Sequence, residues 1–162
     1  MNRFDESAII SPYSRIETSV RGNVVEIHHG AVIDDFVKIK FAGGSGDIII
    51  GEGSYINSGC VLYSGGGITI GKHVLIAANC TLAPVNHEYN DKTKLIKDQG
   101  FKKSCGGIVI EDDVWIGAGC VLLDGTHIER GCVIGAASFV KGYFSAYGVF
   151  GGNPPEKRGE RS

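Results

Sequence analysis

Fifteen aliphatic residues in this chain fall on a single beat. Ile27, Ile33 and Ile39 are six apart, and so are Ile50, Ile56 and Leu62. The same step links Ile70, Ile76 and Leu82; Ile110, Ile116 and Leu122; and Ile128, Ile134 and Val140. A helix repeats about every 3.6 residues and a half-buried strand every second residue, so neither alone fits. A chain that turns a corner every six residues does fit, and three such sides close a triangular coil. Four places after the aliphatic residue comes a small or compact side chain, as at Ala31, Val37, Ser54, Cys60, Val74, Cys80, Val114, Cys120, Thr126, Cys132 and Ser138. That slot is predicted to turn inward near a corner, where little else fits. Such coils stack by parallel strand pairing about 4.8 Å apart, and none is stable alone because its two edges carry unpaired backbone groups. Each buried aliphatic contributes about 1.5–3 kcal/mol.

The beat breaks only between triplets, so every insertion leaves the stack at one corner. The excess is small around Gly43–Ile49 and Gly65–Ile68 and long between Leu82 and Ile110. Irregularity gathered on one edge is the pattern of a functional edge, since binding residues concentrate on loops held by a rigid scaffold. The expected layout is one all-β domain over 1–162. Residues 1–26 form an N-terminal cap segment, in which 10–21 adds a partial coil. About five coils occupy 27–144, interrupted by an excursion over 83–107. Residues 145–162 read as a C-terminal strand or tail.

Composition narrows the classes. The net charge is −2, which implies neither a nucleic acid nor an acidic membrane partner. No apolar run approaches membrane-spanning length and the start MNRFDES is no signal peptide, so a cytoplasmic protein without membrane insertion is expected. Of five cysteines none forms a CxxC pair, and Cys60, Cys80, Cys120 and Cys132 occupy the small inward slot, where a thiol acts as a compact hydrophobe. Cys105 lies in the long excursion.

His87 follows directly on the last side of a coil, where the chain leaves the stack in Ala83-Pro84-Val85-Asn86-His87. An imidazole there is predicted at an outer corner and has the chemistry to take a proton from a hydroxyl. The segments ITIGKHVLIAANCTLAPVNH, VIEDDVWIGAGCVLLDGTHIERGCVIGAASFVKG and GVFGGNPPEKR resemble the hexapeptide-repeat acyltransferases. More closely, the stretch from Asn57 to Val140 is similar to the galactoside, maltose and xenobiotic O-acetyltransferases and to the acetyltransferases of surface-polysaccharide pathways. The resemblance implies a left-handed parallel β-helix and a homotrimer with active sites between subunits. It implies acetyl-CoA as co-substrate, no metal, and a sugar or glycan acceptor. His87 matches the family's general base. Asn57 matches an Asn that reaches acceptor or intermediate across the subunit interface, and Trp115 a Trp beside the transfer site. Gly117, Ala118, Gly135, Ala136 and Ser138 match the coil edge along which pantetheine runs, held largely by backbone groups. Lys141 and Arg158 are candidates for the phosphates of coenzyme A. The chain departs from the family at Val140-Lys141-Gly142, where a Thr commonly precedes the Lys.

Three alternatives carry separate signatures. Transfer to the amine of a nucleotide-linked sugar would show in acceptor profiling. A zinc hydratase resembling the γ-class carbonic anhydrases needs three converging histidines, and His28, His29, His73, His87 and His127 lack that family's close pair after the loop. A non-catalytic scaffold explains the repeat but not His87, Asn57 and Trp115 together.

Overall fold

In the computed structural model, which describes residues 1–162, the chain winds as a three-sided parallel β-helix with three parallel sheets as its faces. This is the left-handed parallel β-helix class that the sequence implies. All fifteen aliphatic residues on the six-residue beat are buried, and so is every residue of the small inward slot. Neighbouring coils stack in register: Ile48, Ile68, Ile108 and Thr126 line up on the first face, Ile56, Ile76, Ile116 and Ile134 on the second, and Ile39, Leu62, Leu82, Leu122 and Val140 on the third.

The six-residue beat has a backbone cause. From Ile27 onward, three places after the inward residue, each turn between the first and second faces and between the second and third puts one residue in the left-handed region. Gly30, Phe36, Gly53, Gly59, His73, Asn79, Asp113, Gly119, Gly131, Ala137 and Tyr147 all have positive φ. Residues other than glycine rarely adopt that conformation, so five of these eleven are glycine and none of the rest is β-branched. Gly53 is fixed for a second reason: a Cβ would come 2.6 Å from His73 Nδ1 in the next coil.

The stack is taller than the aliphatic pattern suggests. Six complete coils occupy 3–16, 25–40, 48–63, 68–83, 108–123 and 126–140, and a partial seventh occupies 143–152. The segment read as a cap is therefore a full coil, with Phe4, Ile10 and Ile16 on the same six-residue step. The C-terminal segment is not a plain tail either. Tyr143–Phe144 and Gly148–Gly152 extend the first and second faces, and Pro155–Glu160 turns back antiparallel onto Gly148–Gly152. Two causes hid this coil: aromatic Phe144 and Phe150 replace aliphatics, and the connection before it is shorter than the beat.

Every irregular connection leaves from the corner between the third and first faces, as expected. The long one, 84–107, carries only a short 3-10 turn, Ile96–Asp98. No helix is long and apolar enough to cross a membrane.

Candidate functional site

The third-to-first corner builds the site. Ala83 ends the third face of the fourth coil, Pro84 is buried against the stack, and the chain then runs outward. The outgoing and returning arms of the excursion pair antiparallel. His87 bridges Phe101, Glu88 N donates to Gly100 O at 3.0 Å, and Lys102 N donates to Asn86 O at 2.8 Å. This short ladder holds the exposed His87 outside the hydrophobic interior, its ring tilted against Phe101 with centroids 4.5 Å apart. Lys102 Nζ sits 4.0 Å over the Tyr89 ring, a cation–π contact.

His87 lines a cleft of about 380 Å³ together with Asn86, Tyr89, Lys102, Lys103, Cys105 and Lys141. The cleft runs along the coil edge toward the C-terminal coils, so Lys141 and His87 share one cavity. Its floor is Asp124, which the sequence reading missed. This carboxylate is only 3% exposed and accepts from Cys105 N at 2.6 Å, Ser104 Oγ at 2.7 Å and Gly107 N at 2.9 Å. Burial alone would raise its pKa; the bonds from Cys105, Ser104 and Gly107 outweigh that and bring it below the usual carboxylate value. Asp124 thus ties the returning arm of the excursion to the stack. The signal was available: Phe41, Ser64, Pro84 and Asp124 all stand two places after a third-face aliphatic, and a carboxylate in that half-buried column needs hydrogen-bond partners.

The second-to-third corner gathers a different set. Asn57, Gly117 and Gly135 each follow a second-face aliphatic and stand in one column. Asn57 is half-buried, and its Nδ2 donates to Ile76 O at 2.8 Å, so within the chain its amide ties two coils together. Gly117 is required by stacking, because a Cβ would lie 2.5 Å from Ala136 N. Gly135 is roomier. The carbonyls of Gly117 and Gly135 accept from Cys80 Sγ and Cys120 Sγ, both at 3.2 Å. Their N–H groups donate to Ile134 O and Phe150 O, both at 2.7 Å. The backbone N–H groups of Ser58, Ala78, Ala118 and Ala136, one per coil on this corner, have no partner within the chain, and Ala118 and Ala136 are the exposed residues among them. Ser138 faces inward: its hydroxyl donates to Gly135 O at 2.7 Å and accepts from Gly152 N at 3.1 Å, so any ligand contact would be through its backbone. Trp115 stands outward on the second face, 53% exposed, between Leu75 and Val133. With Ile9, Val32 and Tyr55 it forms an apolar stripe along that face.

Two groups of expected site residues therefore lie on two different corners of one prism. His87 and Lys141 come together; Asn57, Trp115, Ala118 and Ala136 come together; the third face separates the groups. Arg158 joins neither. It lies on Pro155–Glu160 and pairs with Glu156 at 3.4 Å.

The remaining histidines are scattered: His73 is a corner residue with positive φ, His127 pairs with Glu111 at 3.0 Å, and His28 and His29 stand near Glu26 and Asp5. No three His, Cys, Asp or Glu side chains of the chain converge as a metal site. A depression similar in volume to the His87 cleft is lined by Arg3, Glu26, His29, Glu52 and Lys72, but its charges are satisfied by each other through the Arg3–Glu26 and Lys72–Glu52 pairs.

Comparison with known proteins agrees with this architecture. Residues 107–142 match the family described as bacterial transferase hexapeptide (six repeats). The chain is 41% identical over 87 residues to the probable acetyltransferase Rv3034c of Mycobacterium tuberculosis, covering 54% of this chain and 28% of that protein. It is 28% identical over 140 residues to the galactoside O-acetyltransferase of Lactococcus lactis, covering 86% of this chain and 64% of that protein. The chain thus spans less than two thirds of either relative's length. Among solved structures, the hexapeptide-repeat-containing acetyltransferase VCA0836 of Vibrio cholerae, complexed with acetyl-CoA, superposes with a TM-score of 0.71 at 29% identity. That superposition covers 83% of this chain and 70% of the other.

Proposed function

The chain belongs to the hexapeptide-repeat transferases, and on that premise we propose that it moves an acetyl group from acetyl-CoA to a hydroxyl of a sugar or surface-polysaccharide precursor. The observation that carries the reading is His87, held outside the core by its bridge to Phe101 and opening onto a cleft of about 380 Å³ that ends at Lys141. The galactoside O-acetyltransferase relative supports an O-acceptor, and the acetyl-CoA complex of the Vibrio cholerae protein supports the donor.

The reaction is direct. His87 takes the acceptor's proton as the hydroxyl oxygen attacks the thioester carbon. The tetrahedral oxyanion then collapses, the carbon–sulfur bond breaks, and the thiolate takes the proton back from the imidazolium. A backbone or side-chain donor aimed at the oxyanion lowers the barrier. The exposed N–H groups of Ala118 and Ala136 suit pantetheine, and Lys141 suits a phosphate of coenzyme A.

The two residue groups lie on separate corners, so one chain cannot close a site on its own. A threefold assembly answers this: the His87 corner of one protomer faces the Asn57–Trp115 corner of the next, and the apolar stripe through Trp115 is covered. The test is a thiol-release assay with acetyl-CoA across matched hydroxy- and amino-sugars, combined with subunit mixing. A His87→Ala protein and an Asn57→Ala protein, each weak alone, should regain about a quarter of wild-type activity after equal mixing and reassembly, because that share of interfaces pairs two intact walls. Mixtures no more active than their components would refute the shared site. Release only with amino-sugars would move the reaction to N-acetylation.

A further inference from the structure

A second crevice meets the His87 cleft on the side of the N-terminal coils. It measures about 360 Å³ and is walled by the glycine-rich turns Gly43–Gly46 and Gly65–Gly66, with Pro84, Val85 and Ser104. The two cavities share Asn86, Lys102 and Asp124, so they meet at the root of the excursion; His87 lines the first, and its chain neighbour Asn86 lines both. The glycines keep this wall low for a packing reason: a Cβ on Gly44 would lie 2.0 Å from Gly65 O, and one on Gly65 would lie 2.1 Å from Pro84 O. The consequence is a wall of backbone rather than side chain, with room for a ring-sized polar molecule.

The two charges of this crevice differ in how far they are satisfied. Its ionisable residues are Lys102 and Asp124. Asp124 is buried and its oxygens are taken by Ser104, Cys105 and Gly107. Lys102 is half-buried, is steadied over Tyr89, and has no carboxylate within ion-pair distance. The acidic residues of the excursion are turned elsewhere: Asp91 pairs with Lys94 at 3.3 Å, and Asp98 lies 3.4 Å from Lys97. An ammonium outside any ion pair, where two cavities meet, is a position for an anion.

We infer that the acceptor binds in the glycine-walled crevice and carries an anionic group, a phosphate, diphosphate or carboxylate, that Lys102 engages beside His87. This rests on the acetyl-transfer reading and deepens it by naming the acceptor's class. Acetyl-CoA then lies in the cleft on the Lys141 side, and the reacting hydroxyl arrives from the opposite side.

The experiment compares glucose, glucose 1-phosphate, glucuronate and UDP-glucose as acceptors for wild-type, Lys102→Gln and Ser45→Phe proteins, the last filling the crevice from its exposed rim. Coenzyme A binding is measured separately by calorimetry. The inference expects kcat/KM for at least one anionic acceptor roughly tenfold or more above that for glucose. Lys102→Gln should bring that ratio near one, and Ser45→Phe should raise the acceptor KM while the KM for acetyl-CoA stays put. Which anion gains most separates phosphate from carboxylate recognition. Equal rates on neutral and anionic acceptors with normal coenzyme A binding would overturn the inference alone. A Lys102→Gln effect confined to the KM for acetyl-CoA would also overturn it, assigning that lysine to the donor. Loss of coenzyme A binding in the wild type would overturn the acetyl-transfer reading itself.

Discussion

Replacing Asp124 with alanine should release the arm that closes the His87 cleft. The carboxylate accepts three hydrogen bonds, from Cys105 N, Ser104 Oγ and Gly107 N. A bond to a charged acceptor is worth about 1.5–3 kcal/mol. The whole sum is not lost, because Ser104 Oγ still accepts from Gly107 N at 3.2 Å and the penalty for burying a charge disappears with the carboxylate. One to two bonds remain at stake, so the net loss is about 2–4 kcal/mol. It falls on local opening of the returning arm before it falls on the stack, because the coils keep their own cores. Hydrogen exchange at the Cys105 and Gly107 amides should therefore accelerate roughly 30- to 700-fold. kcat should fall as His87 loses its antiparallel partner. The effect carries a pH signature. The folded-state pKa of Asp124 lies below the reference value of 3.8, so its contribution is complete above that pH and disappears as pH falls through the lowered value. Corrected for intrinsic exchange, protection of these amides in the wild type should be flat down to about pH 4 and drop below it. Asp124→Asn should show no such drop. Unchanged exchange in the alanine variant would refute the reasoning, since the three bonds would then hold nothing.

Other outcomes follow from the same geometry. His87→Ala should lower kcat by about 10²–10⁴ and leave the coenzyme A dissociation constant unchanged, measured by stopped-flow and calorimetry. Gly117→Ala forces a Cβ to within 2.5 Å of backbone that cannot retract, and should cost about 1–3 kcal/mol, read as a lower Tm. A disulfide reagent should titrate one thiol per native chain, Cys105, and the other four only after denaturation. Cys60, Cys80, Cys120 and Cys132 have no exposed surface, and Cys80 and Cys132 have pKa values pushed up to about 11: at Cys80 the contact with Cys120 lowers it but the Cys60 thiol and burial outweigh that, and at Cys132 burial is the main cause. Trp115→Arg puts a charge in the apolar stripe, and sedimentation should find a smaller species than in the wild type.

The repeating part of the fold was open to reading because one physical demand, an aliphatic side chain turned inward at each side, is met by residues that advertise it. The end coils were hidden where that demand is relaxed. Phe4 is exposed at the end of the stack, and Phe144 and Phe150 pack edge-to-face at 5.1 Å instead of repeating an aliphatic. One inward residue per coil also escaped the six-residue count: Val25, Ile48, Ile68 and Ile108 begin first-face strands two places before the residue that was counted. The outward placement of His87 was legible from its position at the root of the excursion. Asp124 was not, because a carboxylate reads as solvated until the corner column is seen to be buried. Phe101 was invisible for another reason: its pairing with His87 joins two arms of an irregular loop, and no periodicity marks such a contact.

All departures from the six-residue beat sit on one edge, and this gives the chain an unusual freedom in its own sequence. Adding or removing a residue on either of the other two edges would rotate every later side chain of that coil, exchanging interior for exterior. On the loop-bearing edge the same change is absorbed before the next coil begins. A fluorescent or affinity insert at Gly100 should leave the rungs intact, and the length of this one seam can be re-engineered while the scaffold stays as it is.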